Sequence, residues 1–123
     1  MGLFSAKGSH LTKVADDNPL RLENHLDDIS KLLNGNNDRG IKNALYATVE
    51  LAKVDPSTAR VLVDDLEPGL RHSDVGIQNN AVIAAGMIAE EYPEEIENYV
   101  DLMKNCLIQC PEADWAEAQA ECI

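Results

Sequence analysis

The chain has 123 residues, 45% of them hydrophobic and only 4% aromatic. That is enough apolar material for one domain cored by Ala, Leu, Val and Ile, and it excludes a disordered chain of low hydrophobicity. With 22 acidic residues against 10 basic ones the net charge is -12, a sign that repels phosphate backbones and anionic lipid, favours basic proteins or cations as partners, and also serves solubility.

In chain order, helices are predicted near 3–16, 19–33, 38–54, 57–71, 75–91, 94–109 and 112–122, and no stretch shows the alternation of a strand. The opening Met1-Gly2-Leu3-Phe4-Ser5-Ala6 falls short of a myristoylation signal, because Ala6 stands where Ser or Thr is needed. After Pro19, apolar residues fall at Leu22, Leu26, Ile29 and Leu33, one stripe of a 3.6-residue helix. A turn at Asn34-Gly35-Asn36-Asn37 follows, with Asp38 expected as the N-cap of the next helix. That helix runs through Ile41, Leu45, Thr48 and Ala52. After Pro56 the pattern restarts, and a turn at Arg71-His72-Ser73 places Asp74 as the next cap. Ala81 to Ala89 is apolar on nearly every side, as in a helix buried all round, with Gly86 read as allowing a close helix crossing.

Pro19, Pro56 and Pro93 stand 37 residues apart, and their neighbours repeat with them. Val14-Ala15 matches Leu51-Ala52 and Ile88-Ala89. Leu26-Asp27 matches Val63-Asp64 and Val100-Asp101. Further on, Ile29, Leu66 and Met103 agree, as do Leu33, Leu70 and Leu107. The repeat divides the single domain 1–123 into units near 3–34, 38–71 and 74–109, with a C-terminal capping helix over 111–123.

Asp38-Arg39-Gly40-Ile41-Lys42 followed by Ala44 and Leu45, and Asp74-Val75-Gly76-Ile77-Gln78 followed by Ala81, resemble the turn and second helix of a HEAT (armadillo-like) repeat. Gln78 stands where the family's basic residue is Lys42 in the other copy, which weakens an Asp–basic ladder between units. The resemblance implies an all-α fold: a short right-handed superhelical stack of antiparallel helix pairs, an α-solenoid of about seven helices. It also implies an extended surface that binds other macromolecules.

No phosphate-binding glycine loop, nucleophile elbow or paired metal-ligand spacing occurs, so no catalytic residue, metal or cofactor is expected. His10, His25 and His72 form no His-x-x-x-His or Glu-x-x-His pair, and each reads as a packed or solvated histidine. The cysteines, Cys106, Cys110 and Cys122, read as small buried hydrophobes. With no secretory signal ahead of them they are expected as reduced thiols in a cytoplasmic protein. No apolar run approaches the ~20 residues of a membrane span.

The repeated polar feature is the row Asp27, Asp64 and Asp101, each one residue past an inward position, with Glu23, Asp65 and Glu97 expected beside it. Together these point to a non-enzymatic protein-binding or scaffold module with an acidic helical face. The expected partner is a protein, basic if the row is the docking face, with no nucleic acid and no membrane. A monomer or weak homodimer is expected. The competing readings are an accessory or regulatory subunit of an enzyme, in the lyase-like helical-repeat group, and a nucleic-acid reader. The second needs a basic stripe, and the basic residues are scattered.

Overall fold

The computed structural model describes residues 8–109, which form helices joined by short turns, with no strand among them. Helix α1 (Ser9–Asp17) leads to a 3-10 segment, Pro19–His25, which continues into α2 (Leu26–Leu33). Helix α3 (Asp38–Val54) precedes a composite run of α4 (Pro56–Ala59), a 3-10 segment Arg60–Leu66 and α5 (Glu67–Leu70). Helix α6 (Val75–Glu91) is followed by a 3-10 segment, Pro93–Tyr99, and α7 (Val100–Gln109). Six helical runs result. The expected seventh, 112–122, and the capping segment 111–123 lie outside the described residues, as do residues 3–7 of the first expected helix.

Each run after a proline was predicted as one smooth helix. All three instead contain seven residues of tighter 3-10 winding. Pro at the start removes a donor that has no helical partner anyway. The side chains of Asn18 and Asp55 accept from the backbone N–H groups of Leu20 and Thr58, both at 3.3 Å, and Ser57 and Thr58 hydroxyls also donate to Asp55 at 2.7 Å. In a 3-10 turn residues three apart eclipse. Leu22 and His25 therefore share a line, where α-helical winding would have separated them.

Helices α1, α3 and α6 form one layer, with α1 packed on α3 and α3 on α6. The runs 19–33, 56–70 and 93–109 lie against it, each also touching the next. The predicted inward slots are where the core lies. Leu22, Ile29, Leu33, Leu45, Leu51, Leu66, Leu70, Ile77 and Ile88 are essentially inaccessible to solvent. Leu26 and Val100 are only half-buried. Buried Thr48 satisfies its hydroxyl by donating to the Ala44 carbonyl at 2.8 Å. Cys106 is buried as expected, with its thiol 3.3 Å from the Leu70 carbonyl, while Cys110 and Cys122 lie outside the described residues.

Two expectations are corrected. The N-cap of α3 is Asn37, whose side chain accepts from Gly40 N at 2.8 Å, and Asp38 is already the first helical residue. Asp74 does cap α6, accepting from Ile77 N at 3.0 Å. The 37-residue register therefore runs unbroken through the turns, aligning Asn37 with Asp74 and Ile41 with Gln78, where the resemblance had been read one residue shorter. Gln78 accordingly sits in a core slot at 7% exposure. Gly86 is buried on α6, while the close helix approach is at Gly69, where an added Cβ would stand 3.1 Å from that of Ala81. Among the described residues Gly8 alone has a positive φ, 76°, and it caps α1 with its backbone against Leu32.

Candidate functional site

The row residues occupy equivalent positions on three successive runs: Asp27 opens α2, Asp64 lies in the Arg60–Leu66 segment and Asp101 opens α7. All three are exposed, as are Glu23 and Glu97, so the outward direction inferred from the one-residue offset holds. Asp65 is half-buried instead, because it accepts from Asn34 Nδ2 at 2.8 Å across the preceding turn. Asp64 likewise accepts from the Tyr99 hydroxyl at 2.7 Å. Two of the six candidate carboxylates therefore also join neighbouring units.

Tyr99 pays for that bond in acidity: donation to Asp64, then burial and the Asp64 charge, push its phenol up to about 12. A similar bridge ties α3 to α1, where the Tyr46 hydroxyl donates to Asp16 at 2.5 Å and its phenol is raised for the same reason. Between the middle unit and its successor, Arg60 stacks 4.5 Å from the Tyr92 ring centre, and Lys42 Nζ lies 3.8 Å from Asp74 Oδ2. Hydrogen bonds from the Ile77 and Gly76 backbone and the nearby Lys42 charge lower the Asp74 carboxyl. Its backbone N–H donates to His72 Nδ1 at 2.9 Å, which leaves the proton of a neutral His72 on Nε2, facing Asp38 Oδ1 at 3.3 Å. The contact from Lys42 to Asp74 is a charged link between two successive units. The same slot in the next unit holds Asn79, which cannot supply a charge.

Two open grooves lie between units. One, of about 240 Å³, is lined by Ala52, Lys53, Pro56, Met87, Glu90 and Glu91. The other, of about 230 Å³, involves Leu70, Arg71, Gln78 and Cys106.

Two of the histidines, which no pair spacing in the sequence joins, come together in the fold. His10 on α1 and His25 at the end of the first 3-10 segment meet edge-to-face, with ring centres 5.7 Å apart. Asp28, in the first turn of α2, lies between them: Oδ2 is 3.3 Å from His10 Nε2 and 3.9 Å from His25 Nδ1. One ligand atom from each of the three falls within 4.8 Å of the others. Single-helix spacing could not reveal this set, because His10 and Asp28 are 18 residues apart and come together only when α1 packs against the next run. Comparison with protein-family models, curated proteins and solved structures returned no match. The chemistry of these side chains is therefore the basis for reading the site.

Proposed function

We propose that the chain is a protein-binding module of HEAT-like architecture, a short solenoid whose acidic face docks a basic protein segment. The observation that carries this reading is the repetition of an exposed carboxylate at Asp27, Asp64 and Asp101, on three runs that touch in sequence. A surface repeated in step with the stack offers evenly placed charges to an extended partner, the use that helical-repeat surfaces serve. The net charge of -12 adds a long-range field that speeds encounter with a cationic partner.

The test uses a Lys/Arg-rich peptide and surface plasmon resonance across a salt series. Asp27→Asn, Asp64→Asn and Asp101→Asn together should slow association several-fold, since removing rim charges acts mainly on the on-rate. A control variant replaces the exposed Asp17, Glu90 and Glu91 by Asn, Gln and Gln, removing the same charge elsewhere. Equal slowing in both would reduce the row to part of a general acidic field and remove the docking reading.

A further inference from the structure

We propose that His10, His25 and Asp28 form a binding site for one divalent transition-metal ion of the zinc class, which ties α1 to the 19–33 run. The donor set is two imidazoles and a carboxylate, the ligands that borderline metal ions prefer. Bond lengths of ~2.0–2.2 Å place adjacent donors of a tetrahedral zinc site roughly 3.3–3.5 Å apart. One edge, His10 Nε2 to Asp28 Oδ2, is already 3.3 Å. The edge from His25 Nδ1 to Asp28 is 3.9 Å, and all three donors lie within 4.8 Å. Closing the remaining gaps asks only for side-chain rotation, and the side chains have room for it. Their exposure is 20% for His10 and 31% for each of the other two. That exposure also leaves an open side where water completes the shell.

The supporting backbone is fixed. Leu11 beside His10, Leu22 one 3-10 turn before His25, and Ile29 beside Asp28 are all 0% exposed. Outer packing of this kind holds ligands in place.

The internal repeat supplies an independent comparison. The slot of His10 holds Ala47 and Ala84 in the other two units, both fully buried. The slot of His25 holds Leu62, also buried, and Tyr99. This fold therefore fills the pair of positions with apolar or aromatic groups elsewhere, and only the first unit installs two imidazoles there, facing a carboxylate. A plain histidine–aspartate contact would need one histidine. The second imidazole, directed at the same oxygen, is what a metal site adds.

Zn²⁺ is titrated into the full-length protein by isothermal calorimetry, and Co²⁺ is used as a spectroscopic probe. Wild type should take up one equivalent, with a Co²⁺ spectrum free of thiolate charge-transfer bands. His10→Ala and Asp28→Asn should each lose more than the ~10–100-fold in affinity that even an outer-shell change costs. His10→Ala installs the residue that the repeat itself carries at 47 and 84, and Asp28→Asn keeps the side chain's shape. Circular dichroism of the metal-free variants should therefore match wild type. Should His10→Ala fail to fold, Asp28→Asn alone decides. The melting temperature of wild type should rise with Zn²⁺, as for any ligand of the folded state, and that of the variants should not. His72→Ala, which breaks the two-residue contact with Asp38, should leave uptake unchanged. Absence of saturable binding, equal binding by Asp28→Asn, or a thiolate band in the Co²⁺ spectrum would each overturn the proposal.

Discussion

At the residue scale, the polar groups between units have distinct partners and distinct consequences for pH. Tyr99 bridges to Asp64, and its phenol is raised from its ordinary value of 10.0 to about 12. A raised folded-state value means that the protonated phenol, which donates the bond, is favoured by folding. The contribution is fully present below about pH 10 and is lost as pH rises through about 12. Tyr99→Phe should therefore melt below wild type at pH 8, and the two melting curves should converge between pH 10 and 12. A gap that persists at pH 12 would place the effect of Tyr99 in packing and not in its hydroxyl. Asp55 and Asp74 behave in the opposite sense: hydrogen bonds from Ser57 and Thr58, and from Ile77, hold their carboxyls below the usual value. Their stabilisation is present above the unfolded-state value of 3.8 and is lost as acid protonates them.

At the scale of elements, α6 is the helix whose sequence is least one-sided. It packs against α3 and against both the 56–70 and 93–109 runs, which explains why its sequence is apolar on nearly every side. Burial along it is nevertheless uneven. Ile88 is 0% exposed, while Ile83 is only partly buried at the edge of the core. The apolar run alone made the two look equivalent. Ile88→Asp should cost more than ~4 kcal/mol, because it buries a charge with no partner, and that is a large share of a stability of ~5–15 kcal/mol. Ile83→Asp should cost clearly less, since its carboxylate can turn to solvent. Urea unfolding of the two variants measures this, and equal losses would mean that Ile83 faces the core as fully as Ile88.

For the whole molecule, charge is the main unbalanced quantity. A net charge of -12 repels itself in the compact state. The ion pairs that oppose it are largely exposed, such as Arg71–Glu67 at 2.9 Å and Lys53–Glu50 at 3.0 Å, and pairs of that kind contribute under ~1 kcal/mol each. Screening should therefore relieve more repulsion than attraction, because a Debye length of ~3 Å at 1 M salt cuts off the many distant like-charge pairs. The melting temperature should rise steadily from low salt towards ~1 M NaCl, a range that shortens screening to that length. A fall would show that the contacts between units, Lys42 with Asp74 among them, outweigh the net repulsion. Among the described residues no helix is long and apolar enough to cross a membrane.

The all-helical character, the 37-residue repeat and most of the core were legible in the sequence, because helical periodicity and repeated apolar slots are local patterns. Leu22, Ile29, Leu33, Leu66, Leu70 and Ile88 were all placed inward before any contact was known, and all are buried. The outward direction of Asp27, Asp64 and Asp101 followed from the same geometry. What escaped was whatever depended on winding or on distance along the chain. The 3-10 turns after each proline rotate His25 into line with Leu22, and hydrophobic pattern does not distinguish 3.0 from 3.6 residues per turn over so short a span. The cap at Asn37 was missed because an Asp beside it satisfies the same preference. The convergence of His10, His25 and Asp28 is decided only when α1 packs on the 19–33 run of the same unit, and the reach of Tyr99 to Asp64 only when one unit packs on the next. Side chains so far apart along the chain meet through the positions of whole helices, and those positions are set by the buried core between them.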